Sequence, residues 1–162
     1  MEGREGVLSA LKEMGLSWEM DEHEPVYTIE EMMNLGLHEK GTIVKNLFLR
    51  DAKGKRHFLV LLPDEKHADL KSISGKLNCP RLSFASEERL ERFLGLKKGA
   101  VTPLGVLNDK DHAVEVVVDR ALTKAAKLGV HPNENTATVW LSWMDLKKFI
   151  ERCGNTMRTI DL

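Results

Sequence analysis

Thr42-Ile43-Val44-Lys45-Asn46-Leu47-Phe48-Leu49-Arg50 is the stretch on which the fold turns. Its aliphatic run reads as a strand, and period-two alternation places Lys45 on the face of Ile43, Leu47 and Leu49, with Asn46 on the other. That face should carry core side chains. Burying an unpaired ammonium costs several kcal/mol, on the order of what one domain can spare. Lys45 therefore has a partner, lines a wet cleft, or lies at a strand end with its stem packed and its head in water.

A second apolar strand, residues 57 to 62, follows through Asp51-Ala52-Lys53-Gly54-Lys55, a hairpin-like connection, and the two strands are expected to pair at the sheet centre. Outward from this pair, Val7, Leu8, Leu11 and Met14 recur at helical spacing and stop at Gly15. Leu16 to Glu22 alternates weakly as a strand. Thr28-x-x-Glu31 is a capping box opening a helix toward Leu35. Downstream, Leu70, Ile73 and Leu77 mark a helix, Arg81 to Phe84 a short strand, and Ser86 to Gly95 a capped helix. Val106-Leu107 and Ala113 to Val118 read as strands around Asn108-Asp109-Lys110-Asp111, and Ala137 to Leu141 as the last strand. Ser142-x-x-Asp145 opens the final helix, whose apolar face is Met144, Leu146, Phe149 and Ile150. Helices and strands interleave without βαβ alternation, which predicts an α+β fold.

A chain of 162 residues with 42% hydrophobic content is expected to form a single domain spanning residues 1 to 162. No apolar stretch approaches the length needed to cross a bilayer, and Met1-Glu2-Gly3-Arg4-Glu5 lacks a signal-peptide apolar region, so a soluble cytoplasmic protein is expected. Cys79 and Cys153 lie far apart without ligand spacing, and the six histidines show no i,i+4 pairing, so neither a disulfide framework nor a metal site is expected. The net charge of -1 hides an asymmetry: residues 1 to 39 hold two basic and ten acidic residues, and residues 40 to 98 hold fourteen basic and seven acidic. The basic middle can either form a patch for a polyanion or scatter over several solvated faces.

Phosphate-binding GxxxxGK[ST], dinucleotide GxGxxG, HExxH and GxSxG patterns are absent from the sequence, which weighs against nucleotide hydrolysis, hydride transfer and acyl-serine chemistry. Three polar features stand out from the apolar framework. Lys45-Asn46 presents one side chain on each strand face. In Gly99-x-x-x-Pro103-Leu104-Gly105, two glycines and a proline shape either a plain turn or a loop with backbone N–H groups turned to an oxyanion or hydroxyl. His131-Pro132-Asn133-Glu134-Asn135 is a polar run entering the Thr136-Ala137-Thr138 strand.

Together with His23-Glu24-Pro25 and Tyr27-Thr28-Ile29-Glu30-Glu31, these segments occur in an order that resembles the prolyl-tRNA-synthetase-associated, or YbaK-like, editing domain family over nearly the whole chain. The Lys-Asn-Leu-Phe-Leu core and the HPxxNTAT run are most similar to its free-standing Ala-tRNA(Pro) deacylases. The resemblance implies a mixed, mostly antiparallel curved sheet surrounded by helices. It also implies a hydrolase, acting without cofactor or metal, that cuts a wrong amino acid from the acceptor end of tRNA(Pro). A synthetase pocket shaped for proline rejects a smaller side chain by only about 10 to 200-fold, and a second, smaller sieve corrects the error.

Carried over residue by residue, the resemblance makes Lys45 and Asn46 the catalytic pair. Lys45 contacts the tRNA 3' end and orients the ester, and Asn46 holds substrate or water. Gly99, Thr102, Pro103 and Leu104 form the loop that positions the carbonyl or ribose, His131 binds beside the pocket, and Tyr27 and Thr28 line its entrance. The implied partners are mischarged tRNA(Pro) and, beyond it, prolyl-tRNA synthetase or an elongation factor, with neither membrane nor DNA. Three other readings stay open: a non-catalytic tRNA or aminoacyl-ligand binding module, a deacylase for another small amino acid such as cysteine, and a purely structural or regulatory domain.

Overall fold

Residues 42–50 are the hub of the sheet. In a computed structural model that describes residues 1–162, every side chain except that of Ile29 included, strand β2 pairs with three others. The helices are α1 (Arg4–Glu13), α2 (Ile29–Asn34), α3 (Leu70–Lys76), α4 (Glu87–Leu94) and α5 (Trp143–Cys153). The strands are β1 (Glu19–Glu22), β2 (Thr42–Arg50), β3 (His57–Pro63), β4 (Ser83–Phe84), β5 (Val114–Asp119), β6 (Leu128–Val130), β7 (Ala137–Leu141) and β8 (Met157–Ile160). β2 runs antiparallel to β3 from Val44 opposite Pro63 to Arg50 opposite His57. The Asp51 carboxylate fixes the connecting turn by accepting from the amides of Lys55 (2.8 Å) and Arg56 (3.2 Å).

The strand order is β1-β7-β6-β2-β3-β5-β8, with β4 added to β2. The β2·β6, β3·β5 and β5·β8 pairs are parallel and the rest antiparallel, so the fold is α+β with a mixed, mostly antiparallel curved sheet. Every residue of β3 is buried, as expected of a central strand covered on both faces. One face carries Val44, Phe48, Leu59, Leu61, Val116 and Val118 against side chains of α1, α4 and α5. The other carries Leu47, Leu49, Phe58, Val60, Leu62 and Val117 against Ile73 and Leu77. A smaller cluster of Val26, Met32, Leu37, Ile43 and Trp140 lies at the start of β2. On its face of β2, Lys45 falls between Ile43 of this small cluster and Leu47 of the second.

Four expectations need correcting, and one further strand was not foreseen. Val106 and Leu107 are not in a strand but in a 3-10 turn, Pro103–Asn108, which proline opens and the Thr102 hydroxyl caps by accepting from the Leu104 amide (3.3 Å). Ala137–Leu141 is not the last strand, because β8 follows α5 along β5. β6 was not anticipated at all. β1 and β4 are also shorter than expected; Arg81 adopts φ +61°, a left-handed conformation that a strand cannot contain. The caps read from sequence are formed: the hydroxyls of Thr28, Ser86 and Ser142 accept from the amides of Glu31, Arg89 and Asp145.

Candidate active site

A cavity of about 150 Å³ opens at the start of β2, lined by Val26, Tyr27, Thr28, Met32, Ile43, Val44, Lys45, Asp64, Gly99 and His131. Five of these, Tyr27, Thr28, Lys45, Gly99 and His131, are residues singled out in the sequence, and they come from four separate segments. The topology explains the convergence. β6 runs parallel to β2 with Ile43 opposite Gly129, so His131, the residue just after β6, stands two residues beyond that pair and Lys45 stands two beyond it on β2. Tyr27 and Thr28 arrive with the N-terminus of α2, where Thr28 is the cap.

Gly99 adopts φ +91°, and a Cβ there would stand 2.8 Å from Cδ1 of Tyr27. Only glycine permits both the backbone conformation and the approach of the aromatic ring. The chain just before Tyr27 is held by Asn135, whose Nδ2 donates to the Val26 carbonyl (3.0 Å).

The Lys45 ammonium is part-buried and donates to the main-chain carbonyl of Lys66 (2.6 Å). Two of its three N–H groups remain for a ligand. His131 is held by a hydrogen bond between Nδ1 and the Ala137 carbonyl (3.0 Å). A carbonyl only accepts, so Nδ1 carries the proton and Nε2 of the neutral ring presents a lone pair. Burial pushes the His131 imidazole below its ordinary range, the Ala137 carbonyl opposes that shift, and nearby His23 adds to it. His23 is itself fixed, with ring nitrogens 2.8 Å from the Glu24 carbonyl and 2.8 Å from the Thr138 hydroxyl.

Other expected site residues lie elsewhere. Asn46 points to the opposite face of β2; its Nδ2 donates to the Val44 carbonyl (3.1 Å), and its buried Oδ1 has no partner among the described residues. It borders a void of about 20 Å³ shared with His131 and Thr138, and a groove with Phe48 and Phe84. Thr102, Pro103 and Leu104 are buried and do not line the cavity. Leu104 belongs to the main core. The amides of Ala100, Leu104 and Gly105 are engaged by Lys97, the Thr102 hydroxyl and the Thr102 carbonyl, so these three are not turned toward an oxyanion. The loop shapes the site through Gly99, and its proline end anchors it.

The sequence reading missed Asp64, which follows the proline ending β3 and lines the cavity while only 7% exposed. Its Oδ2 is hydrogen-bonded by His38 Nε2, and His38 Nδ1 is buried without a partner among the described residues. The local signal was Pro63-Asp64 interrupting an apolar run; its relation to Lys45 exists only through strand pairing. Among the described residues no three His, Cys, Asp or Glu side chains converge as metal ligands. The Cys153 thiol is pushed up to about 11 by burial, and Cys79 is buried too. A thiol so displaced is a poor nucleophile near neutrality.

The basic residues of the middle segment are partly neutralised within the fold. Lys40 pairs with Asp21 (2.6 Å), Arg56 with Glu115 (3.0 Å) and Lys66 with Asp119 (2.8 Å). None of these three lines the cavity, whose one basic chain is Lys45.

The model of the aminoacyl-tRNA editing domain matches residues 23–149. The chain is 48% identical over 162 residues to the prolyl-tRNA editing protein ProX of Acetoanaerobium sticklandii, covering 100% of this chain and 99% of that one. It is 36% identical over 148 residues to prolyl-tRNA synthetase associated domain-containing protein 1 of Danio rerio, covering 90% and 80%. A solved structure assigned as a candidate trans-editing enzyme for prolyl-tRNA synthetase superposes with a TM-score of 0.77 at 21% identity, covering 98% and 95%, a likeness of fold. The chain belongs to the aminoacyl-tRNA editing domain family.

Proposed function

We propose that this chain is a trans-editing hydrolase, a single editing domain over residues 1–162, that deacylates mischarged tRNA(Pro), with alanine as the amino acid removed. The observation that carries the reading is the cavity itself: Lys45, His131, Gly99, Tyr27 and Thr28 meet around about 150 Å³ in a chain 48% identical along its length to a prolyl-tRNA editing protein. That volume is below the roughly 300–1,000 Å³ of pockets that enclose a whole drug-sized ligand. It suits a small aminoacyl group, with the terminal nucleotide left at the mouth.

In this reading the free N–H groups of Lys45 hold the 3'-terminal phosphate or ester oxygen, as a point charge suits. The neutral His131 ring accepts from the ribose or the attacking water. Gly99 and Tyr27 set the wall against which the acyl group rests, and Thr28 edges the entrance. Asn46 supports the strand from behind. Water adds to the ester carbonyl, the bond from that carbon to the ribose oxygen breaks, and the oxygen leaves with a proton, freeing the amino acid and intact tRNA. The substrate's own ribose hydroxyl assists the attack. An aminoacyl ester is already activated, so positioning and electrostatic stabilisation suffice.

The acceptor end of tRNA(Pro) is the proposed partner, with prolyl-tRNA synthetase or an elongation factor as a route of delivery in the cytoplasm. Among the described residues no helix is long and apolar enough to cross a membrane. The test is a panel of tRNAs varying amino acid and acceptor stem independently. Catalytic release from Ala-tRNA(Pro), with Pro-tRNA(Pro) spared, is expected; retention of tRNA without release would replace the hydrolase by a binding module, and equal cleavage of the prolyl ester would remove the small-sieve account.

A further inference from the structure

Two opposite charges share the small cavity without pairing. Lys45 and Asp64 both line it, yet the Lys45 ammonium is bonded to the Lys66 carbonyl (2.6 Å) and the Asp64 carboxylate to His38. No Lys45–Asp64 ion pair forms among the described residues. Lys45 is held by a neutral carbonyl and Asp64 by the His38 ring through Oδ2 alone, so the cavity keeps an ammonium with free N–H groups and a carboxylate oxygen, Oδ1, without a hydrogen bond among the described residues. Such a separation costs stability unless a ligand completes it.

Asp64 is placed with precision. Its amide donates to the Ile43 carbonyl (3.0 Å), extending the β2–β3 ladder one step past Val44 and Pro63. The carboxylate is only 7% exposed, Oδ2 is taken by His38, and Oδ1 makes no hydrogen bond among the described residues. It is the single acidic side chain on the cavity wall, whose other lining mixes apolar groups such as Met32 and Ile43 with Thr28, Lys45 and His131. A ligand atom beside Oδ1 should be a donor and, in this setting, a cation.

We infer that Asp64 is the specificity-determining anchor for the α-ammonium of the aminoacyl ester, so that the site selects esters of free α-amino acids. This rests on the deacylase reading. An aminoacyl-tRNA terminus carries an ammonium at one end and phosphate and ester oxygens at the other, which matches Oδ1 of Asp64 and the Lys45 ammonium. The α-amino group of a bound ester needs a counter-charge in a cavity this small that also holds the Lys45 ammonium, and Asp64 supplies it. Lys45 is left for the oxygens.

The experiment compares alanyl-tRNA with lactyl-tRNA, in which a hydroxyl replaces the ammonium, each rate divided by its uncatalysed rate. The wild-type protein should favour the alanyl ester by about 10 to 100-fold, the range of a charge-assisted hydrogen bond. Asp64→Asn should remove that preference while leaving the lactyl rate within a few-fold. Equal losses on both esters, or an undiminished alanyl preference in Asp64→Asn, would overturn the assignment. If Asp64→Asn does not fold, as read by thermal melting, the wild-type comparison still decides: no preference for the ammonium ester defeats the inference. Failure of the wild type to cleave either ester removes the deacylase reading itself, a distinct outcome.

Discussion

The ammonium of Lys45 is bonded to the main-chain carbonyl of Lys66 (2.6 Å), and the ammonium of Lys66 is in turn paired with Asp119 (2.8 Å), a carboxylate 1% exposed. The lysine that interrupts an aliphatic strand face is therefore held by a carbonyl just beyond β3, and that carbonyl's residue is tied to the end of β5. The site is linked to the sheet centre through this relay. Asp119 also accepts from the amides of Ala121 (3.3 Å) and Leu162 (3.4 Å), so it ties down the C-terminus too.

Asp119→Ala should destabilise the protein by about 1–3 kcal/mol, since it removes the buried acceptor of two amides and of the Lys66 ammonium, whose side chain is 37% exposed and can turn to water. Denaturant unfolding measures the loss. Deacylation by the fraction still folded should fall as well, because the Lys66 carbonyl loses its tether.

Gly99→Ala should cost about 1–2 kcal/mol for the positive φ alone, and more from the clash with Tyr27. Combining it with Tyr27→Ala should relieve the steric part and leave the backbone part. Melting temperatures of the single and double variants separate the two; an additive double variant would mean the ring and the glycine do not meet.

His57 is buried between Phe48 and Phe93, with ring centroids 5.7 and 4.1 Å away, and its Nε2 accepts from Arg89 (3.0 Å). Burial first, then Arg89 and Arg92, hold its imidazole below the usual value of 6.5. The folded state thus prefers the neutral ring. The stability this gives is fully present above pH 6.5 and is lost as the pH falls through the depressed folded value. Melting curves from pH 7 down to about pH 5 should drop more steeply for the wild type than for His57→Phe.

His131, neutral for the same reason, should leave deacylation without a histidine limb at the ordinary 6.5; any acidic limb it causes lies lower. A pH–rate profile reads this directly. His131→Ala should lower kcat/KM by about 10-fold or more through loss of a hydrogen bond to substrate or water.

Much of this was legible along the chain because caps and periodicity are local. Thr28, Ser86 and Ser142 each announced a helix start, and the alternation around Lys45 placed it on the correct strand face. β6 escaped because three residues containing Gly129 carry no period, and β8 because Met157–Ile160 is four residues long with Arg158 in its middle. Val106-Leu107 misled because an apolar pair is ambiguous, and Thr102-Pro103 decided it as a turn. Within the site, Lys45, Gly99, Tyr27, Thr28 and His131 were identifiable as sequence features, whereas the division between cavity-facing Gly99 and core-facing Leu104 depends on packing. Asp64 was invisible for a different reason. Its significance lies in the ladder step that sets it near Lys45.

The central claim is that Lys45 makes this cavity a deacylation site. The most direct measurement is release of alanine from Ala-tRNA(Pro) by wild type and by Lys45→Ala, with both proteins first shown folded by thermal melting. Rapid release by the wild type and a fall to the uncatalysed rate in Lys45→Ala is the predicted result; a folded Lys45→Ala protein that deacylates as fast as wild type would contradict it.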